Sequence, residues 1–247
     1  MGPIYNKRYT LLLLVFMSLA AAAQQPKVMN YQVVDTRKLH FGFTIGLNSF
    51  DFNFKRRLPG DSLFADEQKV EPGFNVNIVS EFRFNEAFSI RFLPGLVFGQ
   101  RRIAFIIVKG GPKNPDYGKL YQPNPNNPIN NPLTIESNYL DFPVLIKYRG
   151  RRVNNIRPYL IAGTSVRYDM AAKKNPKLDG TDIGISLVPL DIYGEIGFGM
   201  DFYLEYFKLS TEIKLSLGAR DVLETNLQMA GVNGFSSKIV EINFHFE

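Results

Sequence analysis

The 247-residue chain contains no cysteine and only two histidines, His40 and His245. The first absence removes a disulfide framework, a thiolate nucleophile, thiolate metal ligands and a cysteine that could carry a lipid anchor behind a leader. The second leaves too few imidazoles for a metal-spaced cluster, and the sequence offers neither a Gly-rich phosphate loop nor a nucleophile motif. Hydrolytic mechanisms generally set a histidine base beside a serine or a carboxylate, and no such motif accompanies either histidine. The expectation is a protein that is not an enzyme and holds no cofactor or metal. Also lacking beyond residue 20 is any apolar run near the ~18 residues that a spanning helix needs. With 45% hydrophobic residues and a mean hydropathy near zero, a helical membrane bundle is excluded. A membrane protein of this composition crosses with strands, whose alternating lipid-facing and interior residues cancel in a window average.

What the chain does have at its start is Lys7 and Arg8, an apolar core from Leu11 to Leu19, and small residues at Ala21 and Ala23. This is the pattern of a secretory signal peptide over 1–23, cleaved after Ala23. The alternative, an uncleaved anchor helix, has too short an apolar core. Residues 24–38 then form a periplasmic N-terminal segment, and 39–247 one barrel domain. Losing Lys7 and Arg8 lowers the formal charge from +6 to +4. That falls short of the concentrated basic patch a nucleic-acid partner requires.

The stretch from Asn138 to Asp169 sets the plan for the rest. Leu140, Phe142, Val144, Ile146 and Tyr148 alternate with Asp141, Lys147 and Arg149, and beyond a basic turn Leu160, Ala162, Val166 and Tyr168 alternate with Ser165, Arg167 and Asp169. A period of two with one apolar face defines a half-buried strand. The same alternation recurs from Leu39, from Gly73 to Phe84, after an Asn85-Glu86 turn, from Leu190 to Tyr203, from Phe207 to Ala219, and from Val240 to Phe246. In the first of these, the apolar face passes from Leu39, Phe41, Phe43, Ile45 and Leu47 to Phe50, Phe52 and Phe54, a change of phase that predicts a β-bulge. Pro94 predicts a second local bulge. Long connections at 56–72, 102–134, 170–187 and 221–237 alternate with short ones at 85–86, 150–157 and 204–206. The stretch 110–132 is rich in proline and asparagine and reads as an exposed loop or, alternatively, a linker. These features predict an all-β fold, an eight-stranded antiparallel up-and-down transmembrane β-barrel in the outer membrane, its partners there lipid and lipopolysaccharide and both termini periplasmic.

In this register the inward face carries Glu81, Asp141, Asp169, Asp191, Glu195, Asp201, Glu212 and Glu241 against Arg83, Arg91, Lys147, Arg149, Arg167, Lys208, Lys214 and Arg220. Eight strands leave an interior only wide enough for side chains, and buried charges demand partners. A lumen charge plug is therefore expected, with an ion pathway as the alternative. His40 and His245, on strands that adjoin at closure, are expected to form a seam pair in the lumen, with a metal or catalytic site as the alternative. Lys55, Arg56, Arg57, Arg101 and Arg102 crowd the ends of two strands and suggest lipopolysaccharide phosphate contacts, or simply a solvated rim. The turn Gly150 to Arg157 spends eight residues where a few suffice. Its Arg151, Arg152 and Arg157 suit carboxylates on a partner, while Asn154 and Asn155 tolerate a left-handed turn backbone. The competing reading is that the arginines meet anionic headgroups or the membrane interface.

Taken together, LHFGFTIGLNSFDF at 39–52, YLDFPVLIKYRGRRVNNIRPYLIAGTSVRYDMAAKK at 139–174 and GEIGFGMDFYL at 194–204 resemble the PorT (SprT) family of outer-membrane barrels of Bacteroidota. The YLDFPVLIKY phrase is shared by many barrels of that superfamily, and its continuation to RYDMAAKK is the more specific part. The resemblance implies a component of the type IX protein secretion system, which also serves gliding motility in some relatives, with other secretion components as partners. It carries over no catalytic residues. The chain departs from the usual barrel-insertion signal by ending in Phe246-Glu247. The alternative function is a stand-alone or porin-like small barrel for envelope integrity, adhesion or slow solute passage.

Overall fold

Alternation forces the chain into strands with one oily and one polar side, and the only closed arrangement of such strands that leaves no edge is a barrel. The computed structural model describes Asn30 and residues 37–56, 63–69, 71–107, 133–172, 188–220 and 232–247, with Lys113 and Pro115. At 52–56, 63–69, 101–107, 133–135 and 232–235 it describes the backbone only. The strand segments are β1 (Leu39–Arg56), β2 (Leu63–Lys69), β3 (Pro72–Arg83), β4 (Phe88–Phe92), β5 (Gly95–Ile107), β6 (Leu133–Arg149), β7 (Ile156–Asp169), β8 (Leu190–Tyr203), β9 (Lys208–Gly218) and β10 (Val232–Phe246). All pairings are antiparallel, and β1 pairs with both β10 and β3, so the sheet closes on itself. Because β5 pairs with both β2 and β3, and β6 with both β4 and β5, the ten segments make eight barrel strands. Signal-peptide residues 1–23, most of 24–38 and most of the long connections lie outside the described residues.

Two expected bulges are absent. Along β1 the register with β10 runs without a step from Phe43 opposite Phe246 to Lys55 opposite Gly234. Phe50 does not join the outward face but is fully buried. The physical reason is volume: a wide stretch of lumen needs filling, and the Phe50 ring lies over Gly99, where an added Cβ would sit 2.6 Å from it. Phe52 and Phe54 lie outside the described side chains. At Pro94 the register of β3 is the same against β4 and against β5. The segments are separated only because proline has no N–H to donate, and the Pro94 carbonyl still accepts from the Ile78 amide at 2.9 Å. The register steps that do occur lie between Glu67 and Lys69 and between Lys55 and Arg56.

The outer wall is apolar around the barrel: Phe41 on β1, Ile78 on β3, Ile146 on β6, Ile196 on β8 and Ile213 on β9 are all more than half exposed. The inner wall is lined by buried polar and charged groups. This inverts the soluble-protein pattern and matches a barrel bathed in lipid. The start of β1 and the end of β10 share one end with three short turns. At the first turn the Asn85 side chain accepts from the amides of Ala87 (2.9 Å) and Phe88 (2.7 Å). At the last, the Leu204 amide donates to the Phe207 carbonyl at 3.0 Å.

Candidate functional site

The lumen is filled by two ionic knots, a buried apolar cluster of Val79, Leu93, Leu145, Tyr159 and Ile161, and an apolar cap. Nearest the short-turn end, Arg91 on β4 is fully buried and reaches Glu81 at 2.7 Å, Glu212 at 3.3 Å and Glu247 at 3.3 Å. Lys147 on β6 pairs with Asp201 at 2.9 Å, and Lys208 on β9 with Glu247 at 2.7 Å. Tyr159 binds this knot twice: Lys147 Nζ stands 3.8 Å from its ring centre, and its hydroxyl donates to Glu212 at 3.0 Å. Towards the long connections, Arg167 on β7 joins Asp141 at 3.1 Å and both Glu195 and Glu241 at 2.8 Å. Lys214 links the last two at 3.2 and 3.1 Å. Ser216 donates to Glu195 at 2.9 Å, and Ser165 donates to Asp141. Above this second knot lies an apolar cap of Phe50, Val97, Tyr139, Tyr193 and Ile239. Both knots and the cap draw on strands from across the barrel.

The structure brings together the plug residues Glu81, Arg91, Asp141, Lys147, Arg167, Glu195, Asp201, Lys208, Glu212, Lys214 and Glu241 and buries them, and Arg83 and Asp191 are buried as well. The expected balance of eight against eight does not hold. Arg220 is exposed, while Glu71 is buried and the Glu247 side chain turns into the lumen. Strand alternation could not announce either, since Glu71 precedes β3 and Glu247 follows β10. The buried lysines and arginines are therefore outnumbered by carboxylates. Tyr159 and Tyr193 also escaped the sequence reading, although their odd positions share the parity of Arg157 and Glu195. Arg167 covers the Tyr193 ring at 4.5 Å, so each knot holds an aromatic under a cation.

The carboxylates of Asp141, Glu195 and Glu241 lie within 4.8 Å of one another, a spacing that could hold a cation. Arg167 and Lys214 already fill that place, and their contacts account for the cluster. The histidine seam pair does not form. His40 Nε2 contacts the Arg37 carbonyl at 3.1 Å, whereas His245 stands opposite Thr44 across the seam, its Nδ1 2.6 Å from Thr44 Oγ1. His245 Nε2 lies 3.3 Å from Glu212. The order hydroxyl, imidazole, carboxylate is that of a hydrolytic triad. Thr44 is only 1% exposed, and the set lies buried at the barrel seam.

At the β6–β7 turn, Val153 and Ile156 exchange backbone hydrogen bonds of 2.9 and 3.1 Å around a two-residue turn, and Asn154 takes a φ of 54°, as its residue type allows. Arg152 is committed to structure: it donates to the carbonyls of Asn154 (2.8 Å) and Asn30 (2.6 Å) and stacks 3.7 Å over Tyr203. Asn155 accepts from the Asn30 amide at 2.9 Å. Arg157 donates to the Gly150 carbonyl at 3.1 Å. Arg151 is left exposed. Of the rim residues, Arg57 lies outside the described residues, and Lys55, Arg56, Arg101 and Arg102 are described by backbone only.

A family model described as "Outer membrane protein beta-barrel domain" matches residues 22–224. The chain belongs to this outer-membrane β-barrel family. Its place is accordingly the outer membrane. Among solved structures, this outer-membrane barrel is similar to OprG of Pseudomonas aeruginosa, with 12% identity over 84% of this chain and 92% of that one and a TM-score of 0.43. It is similar also to Neisserial surface protein A, at 12% identity over 85% and 98% with a TM-score of 0.41. A third is Ail, the attachment invasion locus protein of Yersinia pestis, solved in complex with the heparin analogue sucrose octasulfate, at 9% identity over 85% and 99% with a TM-score of 0.38. A search of the curated proteins finds no match.

Proposed function

We propose that this small outer-membrane barrel stands alone in the envelope as a closed, non-enzymatic element whose ends, and not its interior, do its work. The observation that supports this is the filled lumen, in which the Arg91 and Arg167 knots sit beneath an apolar cap. The barrel is oriented with its termini in the periplasm, so that the cationic rim of Lys55, Arg56, Arg57, Arg101 and Arg102 meets lipopolysaccharide phosphates. In planar bilayers the purified protein is expected to give no steady conductance, and a stable ion-selective current would end the closed-barrel reading. Neutralising the five rim cations is expected to lower resistance to divalent-cation depletion. Unchanged resistance would leave them a solvated rim.

A second reading makes the barrel a component of type IX secretion. The resemblance over 139–174 favours it, and so does the length of the turn at 150–157, which would be the docking site on a periplasmic partner. Arg152, Arg157, Asn154 and Asn155 shape that turn, which leaves Arg151 to face the partner. Under this reading Arg151→Ser inserts normally, migrates normally on heating, and abolishes export of signal-bearing cargo. Normal export by the inserted variant would remove the docking role.

A further inference from the structure

The outer wall is not a uniform convex surface. Across β6 to β9 runs a groove of about 640 Å³, lined by Ile146, Tyr148, Leu160, Ala162, Phe198 and Ile213, within the span of roughly 300–1,000 Å³ usual for ligand clefts. A small residue leaves room at its centre. Ala162 stands between Ile146 and Ile196 in the cross-strand register, where neighbouring staves present large side chains. The lining facing outward is apolar apart from the Tyr148 hydroxyl, so nothing in it suits a polar ligand. Tyr148 marks the end of the groove nearest the short turns, and the chain leaves β6 after Arg149 into the turn that carries Arg151. That arginine is exposed and makes no hydrogen bond or ion pair among the described residues. The turn from 150 to 157 contains three arginines and no acid.

We propose that the groove and Arg151 together bind one anionic phospholipid of the leaflet at the short-turn end. An acyl chain lies over Ala162, between the Ile146 and Ile213 sides, and the headgroup phosphate takes charge-assisted hydrogen bonds from the Arg151 guanidinium. A bare hydrocarbon would use the groove but ignore Arg151. A soluble anion would use Arg151 but ignore the groove. Only an amphiphile with a negative head uses both.

The test is native mass spectrometry on the delipidated full barrel in detergent, titrated with phosphatidylglycerol or with phosphatidylcholine of the same acyl chains. The first phosphatidylglycerol is expected to bind about tenfold more tightly than phosphatidylcholine, a difference of about 1.4 kcal/mol. Arg151→Ser is expected to erase that preference and keep the weaker binding of both lipids. Ala162→Phe, or Ala162→Leu should the larger ring disturb insertion, fills the groove and weakens both. Leu47→Phe on β1, across the barrel, leaves both unchanged. Equal binding of the two lipids by the unaltered protein overturns the proposal, as does an Ala162 variant that binds like Leu47→Phe. An Arg151→Ser protein that keeps its lipid preference and loses protein export assigns the arginine to a protein partner and likewise overturns it.

Discussion

Arg167→Met is expected to destabilise the barrel by about 3–5 kcal/mol, the range seen when one partner of a buried ion pair is removed. Among the described residues, Arg167 alone touches Asp141, Glu195 and Glu241 at once. All four side chains are at most 1% exposed. Methionine fills much of the same space, so the loss is electrostatic: three buried carboxylates are left with Lys214 as their remaining cation. Urea titration in lipid vesicles, followed by heat-modifiable migration, measures the difference. Adding Glu195→Gln and Glu241→Gln to Arg167→Met is expected to recover much of the loss, because it removes the uncompensated charge without restoring the arginine. A loss in Arg167→Met no larger than the ~1 kcal/mol typical of an exposed pair would mean that the second knot does not hold the wall together.

The second large effect belongs to the opposite face. Ile146 stands level with Ala162, midway along β7, and is 56% exposed and directed away from the lumen, with Ile90 opposite it on the other flanking strand. Ile146→Arg is expected to cost about 2–4 kcal/mol, as for a charge on the lipid face near the bilayer midplane. Glu86→Arg, at an exposed position of the first short turn, should cost little. Equal tolerance at the two positions in the same vesicle assay would mean that the inner and outer faces are assigned the wrong way round.

How much of this was written in the sequence depends on how far the period of two could be trusted. It located the eight strands, assigned Ile146 outward and Arg167 inward, and found the charged members of both knots that lie on strands, because a charge on a strand otherwise apolar on one face has only the lumen to enter. At Phe50 the error came from following hydrophobicity to the lipid face, where alternation pointed inward, as the buried ring shows. Filling the lumen above the knots was worth more to that ring than a place in the oily wall. Alternation itself failed at Glu71 and Glu247, which lie off the strand ends and take their direction from partners, the lysine at 208 in the latter case. Pro94 predicts a local bulge, yet a strand in a closed sheet can spare one donor and keep its register. The role of Arg152 was hidden for another reason: its partners, Asn30 and Tyr203, are remote in sequence, and no periodicity reports such a meeting.

The seam between β1 and β10 governs how the barrel can be made. Phe43 stands opposite Phe246 with their rings stacked at 4.9 Å, so the contact that closes the sheet joins the two ends of the domain and carries the largest chain-closure entropy of any pairing in it. Both ionic knots need groups from the last strands, Glu247 for the first and Glu241 for the second. Until the seam shuts, Arg91, Arg167 and their neighbours have incomplete partner sets and hold their water. Dehydration of the interior is thus the final act of assembly, and a half-built sheet has strong reason to wait at the membrane surface until its last hairpin arrives.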